Sequence, residues 1–398
     1  MTYLELPANP RDFSALLFEK MKPIAPPLEG MEIYEFRYCL DNLTPPEGWQ
    51  TVRLETMGAL EERYTTREFY DRLPISPKVD GKIALADEIT HLAQMLFVGL
   101  VTGAYPPDWI QANFYFDVRG FFFLHRTRYF QPRVLAHLGG KPYAQFERRQ
   151  EGFRRCQSVG YKVFREANAE VDGCFIQAVL KLIAVKKTPI ILAIAGATAA
   201  GKTEIVEQLT ESFQKAGKQV TSIEMDHFLT DRDYREANGI HSEGKRALHF
   251  ELFLKALDEI THGKRISIPR YDFIGATSSH DLQGKLKPGG TPVVIEPADI
   301  IFIEGNFPFL IDEVLHLIGI KVVYLTDDEV RLKRKWKRDM DYRKKYDLNY
   351  FRNRYFRDQF IMAEVAYIPQ LETCDLVVDT TGAALWATPE VQAILKQG

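Results

Sequence analysis

From residue 189 onward the chain alternates short, almost wholly apolar runs with stretches whose apolar residues return every three or four positions. Pro189-Ile190-Ile191-Leu192-Ala193-Ile194-Ala195 reads as a buried parallel strand, and Glu204-Ile205-Val206-Glu207-Gln208-Leu209 after it has helical spacing. A second strand is predicted from Gln219 to Met225, then a helix from His249 to His262 with Phe250, Phe253, Leu254, Leu257 and Ile260 on one side. Strands from Asp299 to Ile303, from Ile320 to Leu325 and from Asp375 to Asp379, with helices over 328–345 and about 350–367, continue the alternation. Such an alternation implies an α/β fold: a parallel sheet covered by helices on both faces.

The first half reads differently. Residues 1–30 carry Pro7, Pro10, Pro23, Pro26 and Pro27 and suggest an irregular arm. Tyr34, Phe36, Tyr38 and Leu40 alternate with Glu35, Arg37 and Cys39, which predicts a strand from Met31 to Leu40, with Val52 to Glu55 as its neighbour across a turn at Pro45 to Gly48. Ile89, Leu92, Leu96 and Leu100 predict a helix from Leu85 to Val101. Buried strands are expected at Phe114 to Phe116 and Phe121 to Leu124, and helices about Tyr143 to Arg165 and Val171 to Ala184. The polar junction Lys186-Lys187-Thr188-Pro189 separates a distinct α+β domain, residues 1–185, from the α/β domain, residues 186–398.

Composition narrows the picture. The 398 residues are 45% hydrophobic and 26% charged with a formal net charge of -3, so there is no general pull toward nucleic acid. Cys39, Cys156, Cys174 and Cys374 are scattered without metal or disulfide spacing, which suits a reduced compartment. The first residues lack the basic and apolar parts of a signal peptide, and the longest apolar run, Leu92 to Val101, is too short for a bilayer. A soluble, cytoplasmic protein is expected, with no membrane partner; a homo-oligomer stays open. Arg119, Arg126, Arg128 and Arg133 interleave with aromatics, a pattern that can stack single-stranded nucleic acid. The favoured reading is a strand pair with its rings inward and its arginines solvated.

The chemistry lies in the second domain. Gly196-Ala197-Thr198-Ala199-Ala200-Gly201-Lys202-Thr203 has the spacing G-x-x-x-x-G-K-T between a strand and a helix. Backbone N–H groups there can wrap a polyphosphate, with Lys202 reaching the β and γ phosphates and Thr203 ligating Mg²⁺. ATP with Mg²⁺ is therefore the expected nucleotide. Asp226-His227-Phe228 follows the second strand, at the sheet edge where ligands bind. Nine basic residues lie between Arg331 and Lys345, too many for a core helix.

Taken in order, these features resemble the uridine kinase and phosphoribulokinase family of P-loop kinases. The likeness runs from about Pro189 to Asp379 and adds Ile268-Pro269-Arg270-Tyr271-Asp272-Phe273, the strand end Ile301-Phe302-Ile303-Glu304-Gly305, and Arg331 to Asp339. It implies that Asp226 accepts the proton of the attacking substrate hydroxyl, the alternative being a capping or solvated aspartate. It implies that Glu304 serves the Mg²⁺ shell or orients the nucleophile, the alternative being a strand-end ion pair. The basic run corresponds to a mobile lid, with Arg334 and Arg338 closing over the phosphates and Arg343, with Tyr271, on the substrate side.

Uridine kinases present Asp-His-Pro ahead of the crossing helix and a histidine and arginine after Tyr-Asp-Phe. Here the corresponding places read Arg246-Ala247-Leu248-His249-Phe250 and Ile274 to His280, and Lys344-Lys345 replaces the glycine that follows the lid arginines. His241, His249 and His280 could stand in, against a solvated role. The expected activity is transfer of the γ-phosphoryl group of ATP to a hydroxyl of a small molecule, with an altered acceptor site. The alternatives are a kinase of a sugar phosphate or organic acid, and an ATP-binding switch with little small-molecule turnover.

Overall fold

The computed structural model describes residues 5–397 except 74–75, 80–81, 119, 149–160, 242–243 and 345–354. Seven strands form its largest sheet. Across it the order is Val220–Glu224, Ile300–Gly305, Ile190–Ala195, Ile318–Leu325, Leu376–Asp379, Ala384–Ala387 and Ala144–Gln145. The first five run parallel and the last two pair antiparallel. Alternate residues of Ile190–Ala195 explain the unbroken apolar run: Ile191, Ala193 and Ala195 pack into one core and Ile190, Leu192 and Ile194 into another. Both faces are covered, so neither parity can be polar. The helix Phe250–Thr261 packs in the first core; Tyr161–Ala184, Lys202–Lys215 and Pro389–Lys396 pack in the second.

Residues ahead of the expected junction reach into this sheet. Ala144–Gln145 is its edge strand, and Val171, Phe175, Val179 and Leu182 of the helix Tyr161–Ala184 pack beneath it. The helix expected from Tyr143 thus starts as strand, since Tyr143 N–H and Phe146 N–H donate to the Leu385 and Ala383 carbonyls. Cys156 lies outside the described residues.

The N-terminal half has a core of its own, built on the helix Asp87–Thr102 and the hairpin Phe114–Asp117 with Phe122–His125, as their patterns predict. Two expectations fail there. Pro10 opens a helix, Pro10–Met21, capped by the Asn9 side chain, because proline's fixed φ and missing N–H suit a first helical turn. Residues Ile33–Leu40 form a helix rather than a strand: Phe36 and Leu40, four apart, are buried while Tyr34 and Tyr38 stand in solvent. A capping box between Glu32 and Glu35 starts it. Val52 to Glu55, without a partner strand, is irregular.

The aromatic faces of the 114–125 hairpin point inward. Its arginines are not all solvated, since Arg126 is largely enclosed and pairs with Asp327 and Glu329. Arg119 lies outside the described residues.

Candidate active site

The phosphate loop joins the strand Ile190–Ala195 to the helix Lys202–Lys215 at the carboxyl edge of the sheet. Gly196 is required by crowding, because a Cβ there would meet the Tyr324 carbonyl oxygen at 2.4 Å. Gly201 sits at φ 109°, the left-handed side that glycine adopts without strain. Ala200 is clamped from the neighbouring strand, its carbonyl accepting the Thr326 hydroxyl at 2.8 Å. Ala197 and Ala200 are buried, whereas Thr198 and Ala199 face the cavity with Gly201, Lys202 and Thr203.

Lys202 folds back over the loop, donating from Nζ to the carbonyls of Gly196 at 2.8 Å and Ala197 at 3.1 Å and to Asn306 Oδ1 at 3.3 Å. Burial draws its pKa down, against the pull of Glu304 and Asp226. Thr203 Oγ1 donates to Glu304 Oε1 at 2.6 Å. Glu304 is 8% exposed, and burial raises its carboxyl pKa in spite of Lys202 and Thr203. The parallel register sets Glu304 opposite Glu224, which brings Asp226, two residues on in the turn Met225–Phe228, to the same edge. Glu224 is raised by burial and then by Asp226.

The basic run is the helix Asp328–Asp341. Arg334 bonds Glu204 at 2.8 Å, and Arg338 donates to Thr198 Oγ1 at 3.0 Å. Asp339, fully buried, takes Lys335 at 2.9 Å and Arg343 at 3.4 Å, and so ties the end of the helix together. Arg343 lies over the Phe273 ring, 4.6 Å from its centroid. A cavity of about 530 Å³ results, walled by the loop, Asp226, Glu304, Phe273 and, from the basic helix and the residues just after it, Arg334, Lys337, Arg338, Tyr342 and Arg343.

Spacing in the sequence thus located residues that the fold brings together. Tyr271 is the exception. It does not line the cavity: its ring is buried, its N–H donates to His227 Nδ1 at 3.2 Å, and its hydroxyl accepts from Arg235 at 3.1 Å. His249 and His280 are also withdrawn, bonded to Ser278 and Ser279 behind the wall, while His241 is not among the cavity residues. Glu224, Asn306, Phe273 and Tyr342 were missed as site residues. Asn306 directly follows Glu304-Gly305, so its adjacency was a usable signal; Glu224 required the register.

A strand, loop and helix of this order, with an acidic strand end and an arginine helix over them, define a P-loop kinase domain. Residues 191–386 match the model of the Phosphoribulokinase / Uridine kinase family. The uridine kinase of Lactobacillus helveticus is 26% identical over 221 residues, which cover 52% of this chain and 97% of that protein. The uridine kinase of Halobacterium salinarum is 29% identical over 152 residues, 37% of this chain and 62% of that protein. Among solved structures, the D-glycerate 3-kinase of Cryptococcus neoformans aligns at 15% identity with a TM-score of 0.26, over 34% of this chain and 51% of that one. Among the described residues no helix is long and apolar enough to cross a membrane.

Proposed function

We propose that the protein is an ATP-dependent kinase that transfers the γ-phosphoryl group to a hydroxyl of a small metabolite. The observation that carries this reading is the meeting of Lys202, the Thr203–Glu304 pair, Asp226 and Arg338 around one cavity of about 530 Å³. ATP lies along the loop, its phosphates held by loop N–H groups, the helix N-terminus and Lys202. Binding must lift the Lys202 ammonium from the loop carbonyls onto the phosphates. The acceptor stands between Asp226 and the wall of Phe273, Tyr342 and Arg343. Asp226 takes the hydroxyl proton, the oxygen attacks the γ phosphorus, the bond to the β–γ bridging oxygen breaks, and ADP leaves. Arg334 and Arg338 stabilise the charge of the transferring group, a role worth roughly 10³ to 10⁵ in rate where an arginine is well placed.

The Thr203 hydroxyl and the Glu304 carboxylate beside it, oxygen donors both, suit a hard divalent cation, although among the described residues no three acidic, histidine or cysteine side chains converge on one metal position. Thr203 and Glu304 would hold Mg²⁺, which when bound supplies charge neutralisation on the β and γ phosphates.

The acceptor differs from a nucleoside in this reading, because His249 and His280, which could stand in for the nucleoside-reading groups, are turned into the protein. ADP release is to be screened against nucleosides, sugar phosphates, pantothenate and glycerate, with Lys202→Ala as the control. Turnover stimulated by one metabolite, lost in Asp226→Asn while nucleotide affinity is kept, is expected. Slow hydrolysis indifferent to every metabolite would indicate an ATP-dependent switch instead.

A further inference from the structure

Resting on the kinase reading, we propose that the N-terminal half positions the catalytic arginines: Thr127 and Tyr129, acting through Asp328, set where Arg334 and Arg338 stand over the phosphate loop. Asp328 opens the arginine helix and is 6% exposed. Its carboxylate accepts the Thr127 hydroxyl at 2.6 Å, the Tyr129 hydroxyl at 2.7 Å and Arg331 Nε at 2.9 Å. Two of these three donors come from the segment leaving the N-terminal hairpin, and Arg126 of the same segment holds Asp327 and Glu329 on either side. A polar group closed off from water is held in one place, because shifting it leaves a charge unsatisfied.

A second hold on the same helix comes from residues that follow it in the chain. Tyr355 donates its hydroxyl to the Leu332 carbonyl, and Leu332, Tyr355 and Phe356 belong to the N-terminal hydrophobic core. Beyond them Phe360 stacks on Tyr70 with centroids 4.4 Å apart, and Arg357 pairs with Asp71 at 3.2 Å. The first turn is therefore seated in the N-terminal half, while the second and later turns carry the arginines that reach Glu204 and Thr198.

Geometry makes that seat matter. Ten residues separate Asp328 from Arg338, about 15 Å of helix, so a tilt of about 10° at the base moves Arg338 by roughly 2.5 Å. A displacement of that size breaks the 3.0 Å contact with Thr198 and withdraws the guanidinium from the phosphates. The segment that the family likeness makes a mobile lid moves only together with the N-terminal half, or at the cost of these contacts.

A double-mutant cycle in the full chain tests this. Thr127→Val with Tyr129→Phe removes the two donors and keeps side chains of similar size. It is combined with Arg338→Ala, and the affinity for a fluorescent, non-hydrolysable ATP analogue with Mg²⁺ is measured for all four proteins. The expected result is a loss of about tenfold in the parent and less than about twofold in the Arg338→Ala background, as coupled sites behave. Equal losses in both backgrounds would show that the contacts serve stability alone and overturn the proposal. Tyr129→Phe by itself, which deletes one hydroxyl, gives the same comparison if the double change unfolds the protein. Affinity needs no acceptor, so this result is independent of the metabolite screen: coupling without metabolite turnover rejects the kinase reading and keeps the positioning role. A wild-type chain without nucleotide affinity rejects both.

Discussion

Asp172 lies under the sheet on the helix Tyr161–Ala184, 2% exposed, and accepts the Tyr324 hydroxyl at 2.8 Å. Burial is the main cause that pushes its carboxyl from 3.8 up to about 7; the Tyr324 and Gln208 hydrogen bonds oppose it. Between those two values the native protein keeps a proton that the unfolded chain has released. Stability therefore falls as pH rises through that window and levels off above about 7. With each tenfold change in proton affinity worth about 1.4 kcal/mol, the loss between pH 5 and pH 8 comes to roughly 2.5 kcal/mol. Asp172→Asn preserves shape and hydrogen bonding but cannot ionise. The difference in unfolding free energy between variant and wild type, from urea titrations across that pH range, should grow by that amount in favour of the variant as pH rises. Subtracting the two proteins removes every other titrating group. Parallel curves for the two proteins would refute the reasoning, since they would mean that Asp172 is solvated or paired in a way its burial denies. The outcome also bears on organisation, because Asp172 precedes the predicted domain junction and yet sits in the kinase core.

Three further outcomes are expected. Gly196→Ala must displace either the loop or the Tyr324 carbonyl, 2.4 Å from the new methyl group, so nucleotide affinity measured by fluorescence should fall at least about tenfold while the protein still folds. Glu304→Gln leaves the Thr203 contact but removes its charge, and the Mg²⁺ concentration for half-maximal turnover should rise about 10- to 100-fold. Tyr271→Phe leaves a buried Arg235 donor unsatisfied and should cost about 1–3 kcal/mol of stability with little change in acceptor KM. A large KM effect at unchanged stability would restore Tyr271 to the substrate site.

Local sequence determined the parts of this protein whose physics is local. The octapeptide Gly196 to Thr203 needs only a preceding strand and a following helix to become a phosphate cradle, and both are visible as runs with distinct periods. The all-apolar strands announced a sheet covered on two sides, because such runs cannot tolerate water on either face. Charge density likewise marked the arginine helix. Period alone misled where helix and strand patterns coincide: Tyr34 to Leu40 alternates like a strand, but Phe36 and Leu40 also lie one helical turn apart, and the core and the capping box chose the helix. Long-range pairing lay beyond any window of sequence. The antiparallel pairing of Ala144–Gln145 with Ala384–Ala387 bridges about 240 residues, so the sheet's edge and the helix Tyr161–Ala184 joined the kinase core without a local sign. Tyr271 and Phe273, two apart, would share one face of a continued strand, but the strand ends at Asp272, so Phe273 lines the cavity while the buried Tyr271 bonds Arg235. In the sequence Asp328 is only the first residue of the basic helical run; its contacts with Thr127 and Tyr129, about 200 positions away, exist only in the folded chain. Such contacts depend on which surfaces the folded chain closes off from water, and that is a property of the tertiary structure alone.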